Sequence, residues 1–432
     1  MRSLGPRLRA ALPPVFAAVG IAIAAPGCDP ARANAPPDEI KTNTGTGAPE
    51  PQSEPQSEPQ SELQSELPPA AVTNSLPFLD WVVSHCHIDE LVPSAYTFAW
   101  HRYRRPADLL GPEDPLPLRA GRALPREGSA AAKEQSGALR RAWIDNPRSH
   151  VIDCALPIKG HRCLGCPIET VAHTYYAAYL PRALFVAPET VRSALFLVPG
   201  GNGGRSRPFT RPIPDRSVYD RGSGGLDTKR RADAFYEANP GASQAIIVAL
   251  ETSGFEAPSG PLEHLSRTMP GHIAATFLPH LGEGDLVVGA EGVSSGAREI
   301  LRAAFHDPRA FHTVGLSCMA CGGVHPKTSR LAGPSELRAF ADTLAARRRE
   351  GSFDVRFAIG SRDGQLPCNK AYRDLFLERG VLSSADADAF FVVEGEKHDF
   401  NFLRRAYPSQ LDWHLAALAR IARQTKASPP SR

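Results

Sequence analysis

The stretch Gly289-Ala-Glu-Gly-Val-Ser-Ser-Gly-Ala-Arg-Glu-Ile300 sets two adjacent serines inside a glycine frame. Gly292-Val-Ser294-Ser-Gly296 fits G-x-S-x-G, the pattern of a serine at a sharp, strained turn from strand to helix. Residues two before and two after that serine come close to it, so both must be small. Centring the turn on Ser294 puts glycine at both places, whereas centring it on Ser295 puts Val293 at one of them, where it would clash. Ser294 is therefore the candidate nucleophile, and Ser295 contributes its backbone N–H. The flanks agree: Leu286-Val-Val-Gly-Ala290 reads as a strand, and Ala297 to Phe305 as a helix that Asp307-Pro308 ends.

Outward from this turn the chain has a regular rhythm. Apolar runs at Val191–Val198, Gln244–Leu250, Asp285–Ala290, His312–Ser317, Asp354–Gly360 and Ala389–Val393 suit strands covered on both faces. Helical patterns lie between them. Gly333-Pro-Ser-Glu336 opens one, with Leu337, Phe340, Ala341 and Leu344 on one side, and it ends near Gly351. Lys370 to Arg379 and Gln410 to Arg423 are two more. The alternation predicts a three-layer α/β domain with a mainly parallel sheet, whose chemistry lies beyond the carboxyl ends of the strands. Residues 76–170 are expected to be an N-terminal accessory region; within it, Ser129 to Trp143 reads as a helix.

A serine hydroxyl needs a histidine base and an acid that orients it. Ile359-Gly-Ser-Arg-Asp363 puts an aspartate directly after one buried strand, and Val393-Glu-Gly-Glu-Lys-His398 puts a histidine just beyond the next. Asp363 and His398 are the candidates; Asp386, Asp388 and Asp399 compete for the acid. The order Ser…Asp…His is that of α/β-hydrolases. An oxyanion hole, worth about 3–4 kcal/mol per donor, is expected from the Ser295 N–H and from Gly201 or Asn202 in Pro199-Gly-Gly-Asn-Gly-Gly204. That loop lacks both the Gly-Lys-Ser/Thr ending of a P-loop and dinucleotide-type glycine spacing.

These residues resemble the esterase D and enterochelin/feruloyl-esterase-like branch of the α/β-hydrolases. The likeness is carried by the serine turn followed by Phe305-His-Asp-Pro-Arg-Ala-Phe-His-Thr-Val-Gly-Leu316, by Gly360-Ser-Arg-Asp363 and by His398-Asp-Phe400, and spans residues 171–426. It implies an α/β-hydrolase fold and hydrolysis of small-molecule or polymer-linked carboxylic esters through an acyl-serine, with no metal or organic cofactor. The chain departs from the branch at Pro199-Gly200, where His-Gly often stands, and at Glu396-Lys397, where glycine often precedes the late histidine. A non-catalytic surface binding or scaffold protein on the same body is the alternative.

The first 27 residues read as an export signal. Arg2, Arg7 and Arg9 precede the apolar run Val15–Ala25, which is short for a membrane span. Ala25-Pro-Gly-Cys28 resembles a bacterial lipoprotein cleavage box with Cys28 as the lipidated residue, so a membrane-anchored protein of the periplasm or cell surface is expected. Residues 28–75 contain Pro51-Gln-Ser-Glu54 and its repeats; they have too little apolar surface to offset ordering entropy and are expected to form a disordered tether. The three N-terminal arginines account for the whole net charge of +3, which is no nucleic-acid signature. Of eight cysteines, seven remain after Cys28. In an exported chain, disulfides are the first expectation. Cys163, Cys166, Cys318 and Cys321 as a four-thiolate zinc site is the alternative, and with His85 and His87 nearby it would imply a zinc-dependent hydrolase.

Overall fold

The computed structural model describes residues 76–88, 124–162, 171–200, 226–250, 263–282, 284–322, 324–326 and 333–427. The export signal, Cys28, the tether, Cys163, Cys166, Gly201 and Asn202 lie outside them. Among the described residues, no helix is long and apolar enough to cross a membrane.

A single sheet of nine strands organises these residues. In chain order they are β1 (Cys86–Ile88), β2 (His150–Arg162), β3 (Val171–Leu180), β4 (Ser193–Val198), β5 (Ala245–Leu250), β6 (Val287–Val293), β7 (Thr313–Ser317), β8 (Asp354–Gly360) and β9 (Phe390–Val393). Their spatial order is β1-β2-β3-β5-β4-β6-β7-β8-β9. The pairs from β5 to β9 are parallel, and β1, β2 and β3 extend the sheet antiparallel. All six residues of β4 and of β5 are buried, which explains their unbroken apolar character.

Two helical layers cover the sheet. On one face, α1 (Leu79–His85), α2 (Ala130–Asp145), α3 (Met269–Phe277), α4 (Ser295–His306), α5 (Pro334–Arg349) and α6 (Leu366–Glu378) contribute to one core with Phe196, Val248 and Phe357. On the other, α7 (Thr228–Ala238) and α8 (Phe400–Ala427) pack through Ala232, Tyr236, Leu411, Leu415 and Leu418 on Leu195, Ile247 and Val287. The architecture is a three-layer α/β fold, a mainly parallel sheet between two helical layers.

Residues 76–88 and 124–162 contribute directly to this body. Phe78-Leu-Asp-Trp-Val-Val83, too short to class from sequence, enters α1, and Phe78 packs its ring 5.5 Å from Phe277 and 6.3 Å from Phe185. The Ser129 hydroxyl accepts the Ala132 amide at 3.1 Å and starts α2. Cys86 lies opposite Cys154 in the β1–β2 register, and the two form a disulfide. The final helix is longer than its apolar stripe from Gln410 suggests. It begins at Phe400, where Asp399 Oδ1 accepts the Asn401 and Phe402 amides at 3.0 and 3.1 Å, and it runs through Pro408.

The topology fixes where a site can form. From β4 the chain crosses by α7 to β5, then by α3, on the opposite face, to β6 on the other side of β4. The connections leaving β4 and β6 therefore diverge to opposite faces, and a crevice opens beyond their carboxyl ends.

The Cys86–Cys154 bond closes a long loop, so replacing both cysteines with alanine is expected to lower the unfolding free energy by about 2–4 kcal/mol. Urea unfolding of the double variant against the wild type measures this, and a loss under about 1 kcal/mol would show that β1 is held by packing alone.

Candidate active site

Ser294 stands between β6 and α4 with φ 54° and ψ −116°. A non-glycine residue in this sparsely populated region stores strain of about 1–3 kcal/mol and persists only where its surroundings hold it. Here the Ser294 amide donates to the Ser317 carbonyl at 2.9 Å, and the Ser294 carbonyl accepts the Ala320 amide at 3.0 Å. The glycine frame is a steric necessity. A Cβ on Gly292 would lie 2.5 Å from the Ala297 nitrogen, and one on Gly296 would lie 2.8 Å from the Pro199 carbonyl oxygen. Gly200 is equally constrained, since a Cβ there would come within 2.6 Å of Ser294 Cβ. The close approach of the β4 exit to the serine thus requires glycine at position 200.

Three residues distant in sequence meet at this rim. Ser294 Oγ lies 2.8 Å from His398 Nε2, and His398 Nδ1 lies 2.9 Å from Asp363 Oδ2. With the proton on Nδ1, the ring donates to Asp363 and accepts from the serine hydroxyl. The Asp363 side chain is fully buried, whereas that of His398 is 38% exposed, so solvent reaches the base but not the acid. Asp363 Oδ1 accepts the Gln365 amide at 2.8 Å, which fixes the carboxylate plane. The hydrogen bond that the ring donates to Asp363 raises the His398 pKa above its ordinary value, against the opposing effect of burial. Asp386 and Asp388 act elsewhere: Asp386 accepts from Arg348 at 2.9 Å, and the Asp388 carbonyl accepts from Arg356. Asp399 caps α8.

The loops bearing Asp363 and His398 are tied together. The Arg362 amide donates to the Glu396 carbonyl at 2.8 Å, and Gly395 N–H donates to Ser361 Oγ at 2.8 Å. Gly360 leaves room for this contact, because a Cβ on it would lie 2.7 Å from the Glu396 carbonyl carbon. Glu396, one of the departures from the resembling branch, pairs with Arg405 on α8 at 2.7 Å and so holds the histidine loop to the helix that follows it.

Ser295 opens α4 immediately after Ser294, as its expected oxyanion role requires. The other expected donors, Gly201 and Asn202, are outside the described residues.

The cysteines divide differently from the zinc alternative. Cys321 is bonded to Cys368, at the start of α6, so it offers no thiolate to a metal. The disulfide joins the loop after β7 to the helix after Asp363; the Cys321 amide donates to Gln365 Oε1 at 3.0 Å, and Gln365 in turn holds Asp363. Cys318 is a free, buried cysteine whose sulfur shares one cluster with Asp363 and His398, their donor atoms lying within 4.8 Å of one another. This is the cluster among the described residues that could offer three donors to a metal. Its carboxylate and imidazole are already bonded to each other, and burial, with Asp363 beside it, pushes the thiol pKa well up and keeps it protonated. Its CxxC spacing, which pointed to a partner cysteine, gave no sign that Cys318 stays a thiol beside Asp363 and His398 while Cys321 pairs with Cys368.

No protein-family model matches the chain, and no curated protein matches it. Among solved structures, a ferulic acid esterase is similar over 64% of this chain and 100% of its own, at 15% identity and a TM-score of 0.45. A ferulic acid esterase from Anaeromyces mucronatus, in complex with ferulic acid, is similar over 62% of this chain and 90% of its own, at 15% identity and 0.41. An S-formylglutathione hydrolase from Agrobacterium tumefaciens is similar over 63% and 96%, at 12% identity and 0.37.

Because the folded-state pKa of His398 is raised, its ring is expected to keep its proton at pH values where a free imidazole has lost it, and to become neutral, and able to accept the serine proton, only as pH rises through that raised pKa. NMR titration of the His398 imidazole tests this. Asp363→Asn should move the midpoint down, and an unchanged midpoint would show that the hydrogen bond to Asp363 does not govern the ring.

Proposed function

We propose that this chain is an exported serine hydrolase that cleaves carboxylic esters through an acyl-serine. The observation that carries the reading is the continuous hydrogen-bonded line from Ser294 Oγ through His398 to a buried Asp363, with the serine on a strained turn at the sheet's topological switch.

In this reaction Ser294 Oγ attacks the ester carbonyl carbon as His398 Nε2 takes its proton. The carbonyl electrons move to oxygen, and the Ser295 N–H, with a second amide from Gly201 or Asn202, receives the oxyanion. Asp363 stabilises the imidazolium without itself taking the proton. Collapse of the tetrahedral intermediate breaks the ester C–O bond, and His398 returns the proton to the departing alcohol. Water then enters from the exposed side of His398, loses a proton to Nε2 and attacks the acyl-serine; the acid leaves and Ser294 recovers its proton. The sequence needs no metal or organic cofactor.

Export through the N-terminal signal and anchoring through an acylated Cys28 belong to the same reading. Their support is the charged, apolar and small-residue pattern of residues 1–28, together with two disulfides, which persist in oxidising compartments. Cys28→Ala is expected to move the chain from the membrane fraction to the soluble one; retention in the membrane would remove the anchor.

Ser294→Ala is expected to lower hydrolysis of a short activated ester such as p-nitrophenyl acetate by at least about 10⁴-fold and to abolish labelling by a fluorophosphonate. Ser295→Ala should keep much of both, because its backbone N–H remains. Equal turnover in wild type and Ser294→Ala would remove the nucleophile, and a wild-type chain left unmodified by the probe would favour the scaffold alternative.

A further inference from the structure

β6 carries a charged residue where a buried parallel strand is ordinarily apolar. Glu291 lies three residues before Ser294, is 3% exposed, and faces α8. Across the sheet it stands in register with Gly315, and Gly315 with Arg356. Glycine at 315 is what leaves room: a Cβ there would collide with Glu291 Oε2 and come within 2.5 Å of His414 Nε2. The flanking residues on β7 are polar on the same side. Ser317 Oγ donates to Glu291 Oε1 at 2.6 Å; His414 on α8 sets Nε2 3.0 Å from Glu291 Oε2 and Nδ1 2.8 Å from Thr313 Oγ1. One proton arrangement satisfies every bond, with His414 Nε2–H donating to the carboxylate and Nδ1 accepting the threonine hydroxyl. Arg356 anchors the same helix from the sheet, donating to the Ser409 carbonyl at 2.7 Å.

Stability alone does not account for this cluster. Burying a carboxylate carries a large desolvation cost, and apolar residues of similar volume often do as well or better. What distinguishes the cluster is what it connects. Ser317, whose side chain is fixed on Glu291, is the residue whose carbonyl receives the Ser294 amide. His414 fixes α8, the helix whose first turn is capped by Asp399, the neighbour of His398.

We propose that Glu291 and His414 are positioning residues that set the distance between the two ends of the Ser294–His398 hydrogen bond, Glu291 through Ser317 and His414 through α8. The inference rests on the serine-hydrolase reading. A displacement of even 1 Å between reacting groups can cost about 10²-fold in rate, so a buried polar link of this kind acts on turnover rather than on substrate affinity.

The test compares variants of the full chain, with kcat and KM for p-nitrophenyl acetate expressed per site titrated by a fluorophosphonate, so that only folded, competent molecules are counted. Glu291→Gln can keep each bond, since its amide donates to His414 Nε2 while the ring, in its other tautomer, donates to Thr313; kcat should stay within about threefold of wild type. The double variant Glu291→Leu/His414→Phe removes the link, and kcat should fall at least about tenfold with KM changed by less than about twofold. Should it fail to fold, Ser317→Ala decides, because it deletes one hydroxyl and leaves the Ser294-binding carbonyl; kcat should fall severalfold at unchanged KM. Wild-type kcat per site in the double variant or, failing that, in Ser317→Ala, would overturn the inference. So would a Gln variant as slow as the double variant. A wild type inert to both ester and probe overturns the hydrolase reading and this inference with it, whereas a reactive wild type with unchanged variants overturns the inference alone.

Discussion

The backbone of Ser294, held at φ 54°, is the constraint on which the rest of the site depends. It projects the hydroxyl out of the end of the sheet and leaves the next residue to open a helix. The conformation is costly in isolation, and every neighbour is arranged to enforce it. β7 receives the serine amide at Ser317 and returns an amide from Ala320, while the β4 exit presses against it through Gly200. The glycines at 292, 296 and 200 therefore answer a single requirement, that three backbone segments converge on one side chain with no space for a Cβ among them.

Much of this was legible in the sequence because it is local. A turn that needs glycine two residues either side of a serine announces itself, and strands buried on both faces read as unbroken apolar runs. Asp363 and His398, whose side chains meet Ser294 in one hydrogen-bonded line, could be picked out because each follows such a run within a few residues, and chain order after the serine leaves few candidates. Long-range pairings left no comparable mark. The spacing of Cys318 and Cys321 suggests that the two act together, yet Cys321 bonds to Cys368, which a helix brings near, and Cys318 remains a thiol beside the acid and base. The extent of α8 was also obscured, since its apolar stripe is clear only from Gln410 and Pro408 reads as a break, although the cap at Asp399 is a local one. Glu291 was hidden for the same reason: next to a strand of valines it reads as a polar interruption, and only the fold reveals Ser317 and His414 as its partners.

The loops bearing Ser294, Asp363 and His398 are fixed by different kinds of bond on the two faces of the sheet. On the face of α6, the Cys321–Cys368 disulfide and Gln365 link the segment after β7 to Asp363. On the face of α8, hydrogen bonds and ion pairs serve instead: Glu396 to Arg405, Arg356 to Ser409, and Glu291 to His414. A disulfide limits how far its two segments can separate, and the Gln365 hydrogen bonds orient the carboxylate. A helix that must hold a histidine at hydrogen-bond distance from a serine on another element needs its direction and register fixed as well.

Directional polar contacts meet that need where apolar packing does not. Leucine side chains along α8 can slide against the sheet with little change in buried area, because the hydrophobic effect follows area and has no preferred geometry. An imidazole held between a carboxylate and a hydroxyl cannot, since a shift of a few tenths of an ångström weakens two bonds at once and leaves buried polar atoms short of partners. The apolar residues of α8 therefore bind the helix to the sheet, and its polar residues set the register at which it binds. The distance between Ser294 and His398, just before the helix's first turn, follows from that register.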